Sequence, residues 1–200
     1  MIIEALTEKV TQDVYEAVSH DLADLRRKQA DLKENIGKMQ KSLTNMQEAI
    51  EEQEQYSRRE CLRFYGVPES ASEDTDDVII AFVEKHLKVH LEKSDVARSH
   101  RITPRGGRKE DNPLPIIVRF TTYNIRRRVY EAKAKLKGSK VFIQEDLTSF
   151  RRELVSKARK MPTVRRVRTS DGRITAWKSM PDGNEKKVVI RNINDIALLE

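Results

Sequence analysis

The chain has 200 residues, 36% of them charged and 6% aromatic, with one cysteine and a net charge of +7. That length leaves room for one compact domain or two small ones beside a long helix. Cys61 alone cannot build a disulfide framework or a cysteine metal cluster, no apolar run reaches membrane-spanning length, and the start lacks the apolar core of a signal peptide. A reducing intracellular compartment and no membrane partner are therefore expected. The charge is divided: residues 1–56 hold 7 Lys/Arg against 12 Asp/Glu and residues 57–200 hold 32 against 20, giving −5 and +12. A surface as basic as the second part attracts nucleic acid, anionic membrane or acidic protein.

Ile3, Leu6, Val10, Val14, Val18 and Leu22 step mostly by four, the spacing of a straight helix. From Leu22 the steps alternate three and four through Leu25, Leu32, Ile36, Met39, Leu43, Met46 and Ile50, with Gln29 and Gln53 as polar interruptions. More than four heptads broken only by Gly37 predict a coiled coil within residues 1–60. So narrow a seam has to be covered by partner helices, which makes oligomerisation the first expected function. The heptad positions leave two and three strands open. The helix is expected to end around Ser57 to Glu60.

From Cys61 the period turns toward two. Leu62 to Val67 reads as a strand closed by Pro68, Asp74 as an N-cap, and Ile79, Phe82, Val83, His86 and Leu87 as one helical stripe with His86 half-buried. A second strand is expected over Asp95 to Ile102, followed by a basic, breaker-rich loop whose Gly106-Gly107 lacks the spacing of a phosphate loop. Ile116 to Phe120 is the third strand, and residues 124–137 a helix with Ile125, Val129, Ala132 and Leu136 inward and Arg126, Arg127, Arg128 and Lys133 largely outward. Lys140 to Gln144 is the fourth strand. The order is β-α-β-β-α-β over residues 61–146, the split βαβ arrangement.

Residues 147–200 read as a small basic α+β domain. A helix over 148–160 should turn Phe150, Leu154 and Ala158 inward, leaving Arg152 and Arg159 on the opposite side. Asp171-Gly172 marks a hairpin between Val164–Thr169 and Arg173–Trp177, with Arg166 and Arg168 on one face and Arg165 on the other. Pro181 to Asn184 is a second turn before a strand ending at Ile190, and Asn194 or Asp195 is expected to cap a last short helix. Trp177 is read as the anchor of so small a domain's core, with a stacking platform as the alternative.

Ser57 to Glu69, reading S-R-R-E-C-L-R-F-Y-G-V-P-E directly after a coiled coil, resembles the first-open-reading-frame protein of long interspersed element (LINE) retrotransposons, a transposase-22-like family of RNA-binding nucleic-acid chaperones. Ala97 to Ile102 and Pro115 to Phe120 add to the resemblance, which covers about residues 22–195. It implies a parallel homotrimeric coiled coil, a noncanonical RNA recognition motif and a C-terminal domain that clasp single-stranded RNA. It further implies coating of the element's own transcript, and a cytoplasmic ribonucleoprotein with nuclear access. By family position, Arg98, Arg101, Arg105 and Arg108 match the basic second-strand and loop region, Arg119 the third strand, and Arg151 and Arg152 the start of the C-terminal helix. The chain departs from the family's trimer-specifying Arg/Glu heptad run. It also departs from ordinary RNA recognition motifs, having Arg63 on strand one, and Pro115 and Ile117 on strand three, where stacking aromatics normally stand.

The expected interface therefore comprises Arg63, Tyr65, Arg98, Arg101, Arg105, Arg108, Arg119, Arg151, Arg152, Arg165, Arg166 and Arg168, with Tyr65 the remaining candidate for base stacking. Phosphate contacts should dominate, on single-stranded RNA and also single-stranded DNA. No enzymatic activity, cofactor or metal is expected: Asp74, Asp76 and Asp77 serve a helix start better than a metal. The rival reading is a multimeric coiled-coil scaffold without nucleic-acid function.

Overall fold

The structure, a computed structural model, describes residues 2–103, 112–181 and 183–199, without the side chains of Glu4, Ala5 and Thr7. The expected interface residues Arg105 and Arg108, and Asp182 of the second turn, lie outside the described residues. The protein is mixed α+β, with a long N-terminal helix, and divides into two compact units, Met1–Ile50 and Glu51–Glu200.

Helix α1 spans Ile2–Ser57 and supplies the described residues of the first unit. Pairs one turn apart, such as Lys38 and Glu34 at 2.6 Å, support its surface. Within the single chain the seam is uncovered: Leu22 is 48% exposed and Met39 66%, with Leu25, Leu32, Ile36, Leu43, Met46 and Ile50 exposed along the same stripe. A long helix with this exposed stripe is compatible with a coiled coil.

The second unit contains two sheets with separate cores. In the first sheet, β1 (Cys61–Tyr65), β2 (Val96–Arg101), β3 (Ile116–Phe120) and β4 (Phe142–Glu145) lie in the order β2-β3-β1-β4, every pair antiparallel. Alternation sends Leu62, Phe64, Ile116, Val118, Phe120 and Ile143 into one cluster with Ile79, Val83, Leu87, Val129 and Leu136 of α2 (Thr75–Phe82), α3 (Tyr123–Ala132) and the turns that extend them. Cys61, Arg63, Tyr65, Ile117, Arg119, Phe142 and Gln144 hold the opposite phase, on the face away from α2 and α3.

Local chemistry sets the element ends. Asp74 caps α2 by accepting the Asp76 N–H at 2.9 Å. Gly66 stops β1 two residues short of the expected Val67: its φ is +80°, and a Cβ there would lie 2.4 Å from the Lys140 carbonyl oxygen. Beyond Phe82 the helix loosens into a π turn, Val83–Leu87, which shifts the phase. His86, expected half-buried, is consequently exposed and stacks on Phe82 at 4.7 Å.

The second sheet is β5 (Val164–Ser170), β6 (Arg173–Ser179) and β7 (Glu185–Ile190), antiparallel throughout. Asp171 and Gly172 both take positive φ, as a two-residue hairpin turn requires. Its core joins Ile174, Ala176, Val188 and Ile190 to Leu154, Val155 and Ala158 of α4 (Ser149–Lys160) and to Leu199 beyond the short α5 (Asn194–Ala197). Three expectations are corrected here. Phe150 is on the exposed side of α4, because Leu154, Val155 and Ala158 define the buried stripe. Trp177 follows the inward Ile174 and Ala176 in alternation and so faces away from this core, half-buried under the Arg166 guanidinium at 4.2 Å. The Asn192 side chain, rather than that of Asn194 or Asp195, accepts the first N–H groups of α5.

The largest correction concerns Arg126, expected outward and found 3% exposed. Its guanidinium donates to Glu145 Oε1 at 2.6 Å and lies 4.7 Å from the Tyr130 ring centroid, while Asp171 stands 3.5 Å away. Glu145 is itself buried, so removing either partner strands a charge. Arg126→Ala should lower stability by about 3–5 kcal/mol in equilibrium denaturation, while joint replacement with Glu145→Leu recovers most of it. Equal losses in the single and double variants would contradict the pairing.

Candidate functional site

A cleft of about 580 Å³ opens between the two sheets of the second unit. One wall comes from the face of the first sheet away from α2 and α3 (Arg63, Tyr65, Gln144) and from the end of α3 with the turn beyond it (Tyr130, Lys133). The other comes from one side of α4 (Arg152, Val155, Ser156, Arg159, Lys160) and from Val167, Arg168 and Thr169 of the edge strand β5. Among the described residues that line it, six are cationic (Arg63, Lys133, Arg152, Arg159, Lys160 and Arg168) and one, Glu145, is a carboxylate already engaged by Arg126.

Two adjacent carboxylates organise these walls. Asp146, almost fully buried, accepts from Arg63 Nε at 2.6 Å and from Arg58 Nη1 at 2.9 Å. This fixes Arg63 at the cleft's edge and partly neutralises it. Glu145 Oε1 accepts the Asp171 N–H at 2.7 Å and so holds the hairpin turn of the second sheet beside α3. Gln55, in the last turns of α1, closes the junction: its amide donates to the Asp146 carbonyl at 3.1 Å and accepts the Thr148 N–H at 3.0 Å.

Of the expected interface residues, the cleft gathers Arg63, Tyr65, Arg152 and Arg168. Arg98 and Arg119 pair across β2 and β3, both exposed, and Arg119 lies 3.4 Å from Glu60. Arg101 is drawn into structure: it pairs with Glu73 at 2.7 Å and donates to the carbonyls of Val67, Pro68 and Leu114. Arg151 is bound to Glu51 at 3.2 Å and Glu52 at 2.5 Å, turned toward the end of α1 rather than the cleft. Arg165 sits at a bulge in β5 and donates to the Ser179 hydroxyl, while Arg166 covers Trp177; neither lines the cleft.

Lys133, Arg159, Lys160, Tyr130 and Phe142 escaped the sequence-based selection. The signal for α4 was legible, since residues 152, 156, 159 and 160 recur at helical spacing on the side away from Ala158. Lys133 and Tyr130 carried no such signal, because their roles depend on β5 coming alongside α3. The Tyr130 hydroxyl stands 3.4 Å from the Thr169 carbonyl.

Burial, and after it the neighbouring positive charge, acts on two groups. Partial burial, then the neighbouring Arg63, holds Arg152 below the ordinary guanidinium range. Burial above all pushes the Lys133 ammonium down to about 8; Arg168 and Arg126 push the same way and Glu145 opposes them. Lys133 Nζ rests 3.4 Å from the Tyr130 ring centroid, a cation–π contact in place of a carboxylate partner. The trough thus combines flexible and planar cations with two tyrosines in its walls and little negative charge. Among the described residues no cluster of three or more His, Cys, Asp or Glu is placed to hold a metal, and no helix is long and apolar enough to cross a membrane.

No protein-family model matches the chain, and no curated protein matches it either.

Lys133 provides a pH test. An anion in the cleft favours the charged ammonium, so affinity should fall by about tenfold between pH 7 and pH 9 as the free protein's Lys133 loses its proton. Lys133→Arg should flatten that fall, as read by anisotropy with a labelled single strand. Fold stability moves the other way: the folded chain releases this proton near 8 and the unfolded chain near 10.5, so this group makes the fold more stable as pH rises through that window. A pH-dependent weakening of binding that survives Lys133→Arg would contradict the assignment.

Proposed function

We propose that the protein binds single-stranded nucleic acid, RNA foremost and single-stranded DNA as well, by seating its backbone in the basic cleft of an oligomer joined through α1. The observation that carries this reading is the juxtaposition of six cations around one trough with a single, already neutralised, carboxylate. Such a trough suits a flexible polyanion better than a rigid duplex, because a single strand bends to follow α4 and the sheet face. Phosphates spaced along a strand meet Arg152, Arg159 and Lys160 along one side of α4, with Arg168 and Lys133 facing them. In this reading residues 61–146 act as a noncanonical RNA recognition motif and residues 147–200 as the second half of the clasp.

The exposed seam of α1 supports assembly. Eight large apolar side chains from Leu22 to Ile50 gain burial only against other helices, and copies of the same helix offer the same stripe. Joined protomers would place several clefts on one strand and raise apparent affinity through effective concentration. A parallel trimer, coating of a retrotransposon transcript, chaperone activity and a cytoplasmic ribonucleoprotein with nuclear access rest on the resemblance of the Ser57–Glu69 junction to the LINE first-open-reading-frame proteins.

Two measurements test the two halves of the proposal. In a salt-titrated binding series with the full chain, log affinity should fall steeply against log salt. The triple variant Arg152→Ala, Arg159→Ala, Lys160→Ala should shallow the slope by about 0.7 for each phosphate it no longer neutralises, on unrelated sequences alike. A flat salt response in the unaltered chain would leave the scaffold reading in its place. In sedimentation velocity, Ile36→Asp with Leu43→Asp should shift the full chain toward the monomer; an unchanged oligomer would mean that the seam is not the interface.

A further inference from the structure

Tyr65 and Phe142 face each other directly across β1 and β4, with ring centroids 4.7 Å apart and planes within 6° of parallel. They lie on the face of the first sheet away from α2 and α3, in the same phase as Arg63 and Gln144, and Tyr65 lines the basic cleft. Phe142 is 49% exposed and sits on β4, the end strand of the sheet order β2-β3-β1-β4. Cross-strand aromatic pairing explains why the two rings prefer each other. It does not account for so much aromatic surface left in water beside a trough built for anions.

We propose that the Tyr65–Phe142 pair is a stacking platform for an unpaired base of the strand whose phosphates occupy the cleft. The inference rests on the nucleic-acid reading above and deepens it. A nucleotide has an anionic end and a planar apolar end, and this corner offers a counterpart to each. Arg63 is two residues before Tyr65 on the same side of β1, roughly 7 Å along the strand, and Lys133, Arg152 and Arg168 lie around the same trough. A base laid on the exposed surface of Phe142 extends an existing parallel stack, so it needs no rearrangement of either ring. The position differs from strands one and three, where an RNA recognition motif normally places its aromatics and where this chain has Arg63, Pro115 and Ile117. The platform here spans strands one and four. Because every base has a π face, such a subsite is tolerant of sequence, yet it distinguishes a strand with bases from a bare sugar-phosphate chain.

The test uses the full chain and two labelled oligonucleotides of equal length and charge, one of mixed sequence and one with abasic residues throughout. The unaltered protein should prefer the base-bearing strand, and Phe142→Ala should weaken its binding about tenfold without changing the salt slope, leaving abasic binding within about twofold. Phe142→Trp should keep the preference and add a tryptophan emission that the base-bearing strand quenches and the abasic strand does not. Phe142→Trp also keeps the test open should Phe142→Ala fold poorly, as far-ultraviolet circular dichroism would show. If the unaltered chain binds both strands equally, or if Phe142→Ala weakens both alike, the platform is refuted while the cleft reading stands. If the chain binds neither strand, the nucleic-acid reading falls and the platform with it. Capture of an apolar peptide on Phe142 in the absence of any base preference would assign the pair to a protein partner and overturn the proposal.

Discussion

The architecture of the second unit depends on two successive buried carboxylates at the end of β4. Glu145 takes the Arg126 guanidinium from α3 and the Asp171 N–H from the β5–β6 turn, while Asp146 takes Arg58 from beyond α1 and Arg63 from β1. Isolated, each would be costly to remove from water; paired and hydrogen-bonded, each becomes a joint between elements far apart in sequence. Gln55 and Thr148 complete the arrangement, so the short link from the first sheet to α4 is held from both sides. The cleft exists because this junction holds the face of the first sheet opposite one side of α4. Arg63 shows the consequence for function, since the same side chain closes the joint and borders the trough.

The joint also sorts the many arginines. Arg58, Arg101, Arg126 and Arg151 are engaged by carboxylates, and their contribution is to the fold. Arg152, Arg159, Lys160 and Arg168 line the trough, where burial first and neighbouring positive charge second hold Arg152 and Lys133 below their ordinary ranges. A net charge of +12 over residues 57–200 therefore overstates the charge available to a partner.

What the sequence made legible follows the range of the interactions. Alternation within residues 61–67 and 116–120 marked two strands, and Asp171-Gly172 fixed a turn, because these are local properties. Alternation from Ile174 and Ala176 would also have turned Trp177 outward; an expectation that a small domain must bury its largest ring overrode a correct local signal. Arg126 was not legible. In a run of three arginines, periodicity ranks Arg126 beside the apolar stripe, but only Glu145 from a strand nineteen residues away makes burial tolerable. The same holds for the cleft: four of the ten expected interface residues that are described meet there, and Lys133 joins them because Thr169 of β5 comes against Tyr130. His86 was missed for a third reason, a π turn that shifts the helical phase midway.

A single strand bound as proposed lies in the trough between the first sheet and α4. Amide hydrogen exchange of the full chain, with and without a saturating unstructured oligonucleotide, tests it most directly. Exchange should slow chiefly in α4 (Ser149–Lys160), β4 (Phe142–Glu145) and the edge strand β5 (Val164–Ser170), with α2 (Thr75–Phe82) on the far side of the sheet unchanged. Slowed exchange confined to α2 or to α1, with α4 unaffected, would contradict it.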